Sequence, residues 1–193
     1  MNKSRIEAFS DGVIAIIITI MVLEFKVPHG AQWADLWPLW PVFLSYVLSF
    51  ANVGIYWSNH HHLLHTVKHV NGPILLANLN LLFWLSLMPF TTAWVGENHF
   101  AATPMAAYAI DLFLCAVSYT VLQLRIIRAH GPESLISQAV GNDTKGKISL
   151  AAYLAAVPLA LLGWPSLSGL LILLVACMWL IPDRRIERRL EQE

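Results

Sequence analysis

The chain has 193 residues, 57% of them hydrophobic and 12% charged, with Lys+Arg and Asp+Glu at 12 each and a mean hydropathy of +0.59. Soluble domains of this size carry about a quarter charged residues, so so little charge implies a surface solvated by lipid. The balance of signs excludes an overall attraction to nucleic acid, and Cys115 and Cys177, both inside apolar runs, make neither a disulfide framework nor a metal motif.

Six apolar stretches follow one another, each near the roughly 20 residues a helix needs to cross the hydrocarbon core. The first covers about 9–27 and is ended by Pro28. Lys3 and Arg5 precede it, but Glu7 and Asp11 interrupt any basic n-region and no small-residue cleavage site follows, so it is expected to be a span and not a signal peptide. The second covers about 38–58 and the third about 74–95. The fourth starts after Pro104 and covers 105–124. The last two, 148–162 and 167–181, are joined by Gly163-Trp164-Pro165 and stopped by Pro182. Backbone polar groups in lipid must be satisfied within each segment, which makes these helices, and the absence of continuous alternation argues against a barrel. The charged end, 183–193, is expected to prolong the last helix into water and to be drawn to anionic lipid.

The loops orient these spans. One side carries Lys3, Arg5, Lys68, Arg125, Arg128, Lys145, Lys147, Arg184, Arg185, Arg188 and Arg189; the other carries only Lys26, near Glu24, Asp35 and Glu97. The bias of basic residues toward the inner side then places both termini in the cytoplasm, which requires an even number of spans. Trp33, Trp37, Trp40, Trp94 and Trp164 fall at the outer ends, as an interfacial belt would. No internal repeat or low-complexity linker divides the chain, so 1–193 reads as one all-α membrane domain. Six helices so poor in polar residues hardly enclose a hydrophilic path alone, and a pore would have to form at an oligomer axis.

The most informative segment is RIEAFSDGVIAIIITIMVLEFKVP, residues 5–28. With Arg5, Phe9-Ser10-Asp11, Ala15-Ile16, Thr19, Leu23 and Pro28, it is joined by Trp57 with His60-His61 and by Pro89-Phe90-Thr91-Thr92. In this order and at these span numbers, the elements resemble the lysosomal potassium-channel family (transmembrane protein 175 type), whose bacterial members have one six-helix repeat per chain. The resemblance covers the first half of the chain; the second half agrees in hydropathy and length only. It implies a homotetramer of six-helix subunits in the cell membrane, with the first helix of each subunit lining a central pathway for potassium. It implies no cofactor beyond the permeant ion and no enzymatic activity. A carbonyl filter is not part of that picture, and the sequence has no TVGYG-like segment. The family's apolar constriction falls on Ile16, with Ile20 and Leu23 one and two turns further out.

Helix geometry is compatible with that assignment. At about 100° per residue, Ile16, Ile20 and Leu23 lie within roughly 60° of one another, and Phe9 and Gly12 extend the stripe inward. Apolar residues at such spacing are also what any membrane helix contains. Thr19 flanks the stripe, where its hydroxyl can meet an ion or bond back to its own helix. Ser10 and Asp11 point roughly 120–140° away, toward the subunit's own helices. A charge at the edge of the membrane needs a partner, and His60, His61 and Asn78 lie at matching depth, with Asn80 an alternative to Asn78. The resemblance implies that Arg5, Ser10, Asp11, His60, His61 and Asn78 form a structural polar network tying the first three helices.

Two further features are open. In NHHHLLHTVKH, His61, His65 and His69 are spaced to share a helix face, yet no Cys, Asp or Glu stands near to complete a metal shell; the cluster is alternatively a pH sensor. Asp111 lies within the fourth span, a functional candidate by default, or else an acid bonded to Tyr108 or a neighbouring helix. A secondary transporter would need inverted repeats and several intramembrane charges, and only Asp111 and the marginal Asp11 are available. An enzyme would need a convergent catalytic set, which the scattered histidines do not supply. Passive potassium conduction, with a secondary ion or proton transporter as the alternative, is the expectation.

Overall fold

The computed structural model describes residues 3–131, 134, 137 and 143–180; the expected charged extension at 183–193 lies outside them. Among the described residues, seven α-helices run in order: α1 Lys3–Leu23, α2 Trp40–His65, α3 Gly72–Leu85, α4 Met88–Glu97, α5 Ala102–His130, α6 Thr144–Leu161 and α7 Pro165–Leu180. No strand occurs among the described residues. Because α3 and α4 together form one interrupted rod, the helices make six membrane rods. Four of them, Lys3–Leu23, Trp33–His65, Gly72–Glu97 and Ala102–His130, are long and apolar enough to cross a membrane. The α6 and α7 rods have 18 and 16 residues, about 27 and 24 Å at 1.5 Å per residue.

Helix ends extend past the apolar stretches. α1 starts at Lys3 and stops at Leu23, short of Pro28. α2 continues through Asn59 and the histidines to His65, and α5 runs through Arg125 and Arg128 to His130. The polar ends are simply the water-facing turns of the same helices, which hydropathy truncates. A short 3-10 turn, Trp33–Leu39, leads into α2. Asn71 caps α3 by accepting the Ile74 N–H at 3.0 Å. The third rod breaks at Ser86-Leu87 because Pro89 has no N–H to donate and its ring crowds the carbonyl four residues back. Gly131, at φ 87°, ends α5 with its N–H on the Ile127 carbonyl at 2.9 Å.

Packing centres on α5. α5 runs through the bundle against α3, α4, α6 and α7, and α6 packs on α7. α1 rests on α2, α3 and α4. Its buried side is Ile6, Ser10, Ile14, Ile17 and Met21, one face of a 3.6-residue period. Cys115 is buried in the core and Cys177 is exposed on α7.

α2 and α4 approach each other closely at Gly96. A Cβ added at Gly96 would lie 2.6 Å from Ser45 Oγ and 2.7 Å from the Val42 Cα, a backbone atom that no rotamer change can move. Gly96→Ala therefore forces α4 off α2, and overpacking of this kind costs about 1–3 kcal/mol. A lowered apparent Tm of the purified protein in detergent is the expected result; an unchanged Tm would mean the helices are not in this register.

Candidate pore-lining face and the polar pin behind it

The face of α1 opposite its buried side is bare. Phe9, Ile16, Ile20 and Leu23 are 54%, 57%, 41% and 77% exposed, although they are large and apolar. Gly12, Ala15 and Thr19 are exposed beside them. The Thr19 hydroxyl donates to the Ile16 carbonyl at 2.9 Å, so it is folded back onto its own helix. Between α1 and α4 an open groove of about 450 Å³ runs along this face, walled by Val13, Ile16 and Ile20 on one side and Pro89, Phe90 and Ala93 on the other. At the end of the groove away from the start of α1 stands Glu24, near the exposed ion pair of Lys26 Nζ and Glu97 Oε1 at 2.6 Å. The hydrogen bond from Lys26 to Glu97 raises the ammonium pKa above its ordinary value.

Behind that face, a chain of polar side chains fixes the rotation of α1. Asn78 Nδ2 on α3 donates to Ser10 Oγ at 3.0 Å. Asn78 Oδ1 faces His60 Nε2 on α2 at 2.7 Å. Since the Asn78 oxygen can only accept, the imidazole presents its Nε2–H there. All three residues are buried. One hydroxyl, one amide and one imidazole thus join α1, α3 and α2, with complementary roles at each step.

The other expected members of the network stand apart from it. Asp11 Oδ1 accepts the indole Nε1–H of Trp57 at 3.0 Å, near the surface and one helix face away from Asn78. His61 is exposed and lies against Trp57, ring centroids 6.4 Å apart. Arg5 is exposed on the first turns of α1. Asn80 turns the other way and donates to Ser118 Oγ on α5 at 2.7 Å. α2 ends at His65, so His69 leaves the shared helix face and stacks on His130, 4.7 Å between ring centroids. Among the described residues no three His, Cys, Asp or Glu side chains gather as a metal site.

A second polar cluster, half hidden in the sequence, braces α4. Thr92 Oγ1 donates to Ser49 Oγ on α2 at 2.7 Å, and Ser49 pairs with the Tyr108 hydroxyl on α5 at 2.9 Å. Thr92 also touches Met21 Sδ on α1 at 4.0 Å. Its neighbour Thr91 donates to Asp111 Oδ2 at 3.0 Å. Asp111 is only 4% exposed, and its other oxygen has no hydrogen-bond partner in the structure. The acid is thus held by α4 and not by Tyr108. The adjacent threonines, quoted above for their place in a motif, address two different helices; that division is the sign sequence reading passed over.

With this geometry in place, the comparisons with known proteins decide the family. Residues 5–89 match the family described as endosomal/lysosomal potassium channel TMEM175. A protein named a potassium channel, from Chryseobacterium sp. (strain P1-3), is 53% identical over 192 residues, covering 100% of each chain. The chain belongs to the TMEM175 family. Its fold is similar to that of a lysosomal potassium-selective TMEM175 homolog from Chamaesiphon minutus, whose crystal structure gives a TM-score of 0.79 at 29% identity, covering 93% of this chain and 96% of that one. A TMEM175 from Bos taurus, named an endosomal/lysosomal proton channel, is 38% identical over 131 residues, 62% of this chain and 27% of its own length. The resemblance read from the first half therefore extends over the whole chain, including the second half that agreed only in hydropathy.

The pin carries a prediction. Asn78→Leu keeps the branched shape but strands Ser10 and His60 in the buried interface, at a cost of about 1–3 kcal/mol. The apparent Tm in detergent is expected to fall; an unaltered Tm would show that Ser10 and His60 find other partners.

Proposed function

We propose that the protein is a potassium-permeable, potassium-preferring cation channel, built as a homotetramer in the cell membrane with both termini cytoplasmic and the α1 helices around a central pore. The observation that carries this reading is the bare apolar stripe Phe9, Ile16, Ile20 and Leu23 on a helix whose rotation is fixed by Ser10, Asn78 and His60. Support comes from family membership and from the potassium-channel names of relatives.

In this reading Ile16 forms the narrowest ring, with Ile20 and Leu23 toward the outer mouth and Thr19 on its flank. A ring of aliphatic side chains excludes a hydrated ion by dewetting, and conduction requires the ring to widen enough for a partly dehydrated ion. Potassium loses its water more readily than sodium, so a narrow apolar ring prefers it without any carbonyl cage. Thr19 leaves its hydroxyl oxygen's lone pairs available while donating to Ile16. Ser10, Asn78 and His60 take no part in conduction; they hold α1 in place. A neighbouring subunit would seat against Phe90, open on the α4 wall of the groove, leaving Ile16 on the α1 wall to the pore. The protein requires no cofactor and no enzymatic step to do this.

The test is a voltage readout from proteoliposomes holding opposed potassium and sodium gradients, with pH equal on both sides. The potential is expected to follow the potassium gradient with no driving ion or nucleotide. Ile16→Asn, which wets the ring, is expected to raise the flux several-fold and to shrink that potential. A potential that appears only with a proton gradient would instead favour the activity named for the bovine relative, and identical flux in Ile16→Asn would remove the constriction from Ile16.

A further inference from the structure

On the side of the molecule where α1 begins, the connection between α2 and α3 crosses the end of α5. Lys68, in that connection, donates its backbone N–H to Nε2 of His130 at 3.1 Å. The other ring nitrogen of His130, Nδ1, lies 2.9 Å from the Ile126 carbonyl one turn back on α5. A carbonyl oxygen can only accept and a backbone N–H can only donate. Both nitrogens are therefore assigned by their partners: Nδ1 carries the proton and Nε2 must be bare. This is a neutral imidazole used at both ends, and His69 stacks on its face with rings 30° apart.

We propose that His130 is a proton-operated latch, holding the 66–71 connection to the end of α5 while neutral and releasing it when Nε2 takes a proton. Protonation sets an N–H against the Lys68 N–H, so an accepted hydrogen bond becomes a donor–donor contact. The Lys68 amide then has no acceptor, and His69 faces a cation. Histidine is the side chain whose charge changes between pH 5 and 8. Buried Val67 and Val70 flank the latched pair, so release lifts Lys68 and His69 locally and leaves α2 and α3 in place.

Among the described residues, the charged and titratable groups around His130 supply no alternative acceptor; on α5 itself Arg125 and Arg128 can only donate. His69 and Lys68 come from the connection itself. α3 carries no charged side chain, and the acid of α4, Glu97, is at the opposite end of its helix. α6 brings Asp143, Lys145 and Lys147 at its start, and of these Asp143 meets α5 at Gln123, about two turns before His130. α7 contributes no charged residue within Pro165–Leu180. Just before the connection, at the last residue of α2, Lys3 Nζ from the start of α1 donates to the His65 carbonyl at 2.7 Å. The same short segment thus borders the first turn of α1 and the last turn of α5.

Hydrogen exchange read by mass spectrometry on the full-length protein tests the latch, and its outcome does not depend on whether the protein conducts. After correction for the chemical exchange rate, protection of the peptide spanning 66–71 is expected to fall about five- to tenfold from pH 8 to pH 5.5, the size of one net hydrogen bond lost. In His130→Gln the amide oxygen accepts from Lys68 at both pH values, so protection stays high throughout. In His130→Leu it is low throughout. His69→Ala retains the pH response. Unchanged protection of the wild type between the two pH values, a pH response kept in His130→Gln, or one lost in His69→Ala would each overturn the proposal.

Discussion

The rotation of α1 about its own axis is the constraint on which the rest of the molecule depends, and one chain of three side chains sets it. A helix as apolar as α1 has no strong preference of its own between lipid, a neighbouring subunit and the interior, because Ile6, Ile14 and Ile17 are chemically interchangeable with Ile16 and Ile20. Ser10 breaks that degeneracy. Its hydroxyl is buried only where Asn78 can reach it, and Asn78 is oriented by His60. Any other rotation of α1 would leave buried Asn78 without Ser10, at a cost of about 1–3 kcal/mol, so this rotation is favoured. With Ser10 turned in, Ile16, Ile20 and Leu23 must face out, and a specified apolar stripe is what a pore of this kind requires.

The interior polar groups of α4 extend the same logic to the far side of the subunit. The break at Ser86-Leu87 frees α4 from the direction of α3 and lets it approach α2 closely at Gly96. Thr91 and Thr92 then reach α5 and α2 separately. Through Met21, α4 also touches the buried side of α1. The short α4 helix is consequently the piece that relates α1 to α5, while α6 and α7 serve chiefly to cover α5. Asp111, buried with one oxygen unpartnered, sits at this junction as part of the brace.

Much of this was readable from the residues alone. Hydropathy marks six rods, the loops divide by charge, and the 100° step puts Ser10 opposite Ile16 before any coordinates are known. Other parts were not readable, for physical reasons. Asn78 and Asn80 are two residues apart and so lie on opposite faces of α3, but α3 is apolar all round and gives no sign of which face meets α1. Asp11 was sought a partner among histidines and amides, whereas it takes an indole N–H from Trp57, a residue that reads as merely aromatic. Hydropathy ends α2 and α5 short because their polar and charged terminal turns carry no signal, while it carries α1 past Leu23, where the helix stops. His130 meets the 66–71 connection across a separation in sequence that no local pattern reports, and because α2 ends at His65 the four-residue spacing of His61, His65 and His69 has no continuous helix to act on.

The central claim is that the Ile16 stripe faces a water-filled path and not lipid, and cysteine accessibility tests it most directly. In a Cys177→Ala background, which removes the exposed native thiol and leaves buried Cys115, Ile16→Cys would be exposed to a water-soluble thiosulfonate while current is recorded in a planar bilayer. Leu154→Cys, at an equally exposed apolar position on α6, serves as the comparison. The account predicts that Ile16→Cys is modified and its current falls, while Leu154→Cys is untouched. Steady current through Ile16→Cys channels with no modification would place that face of α1 against lipid or protein and contradict the account.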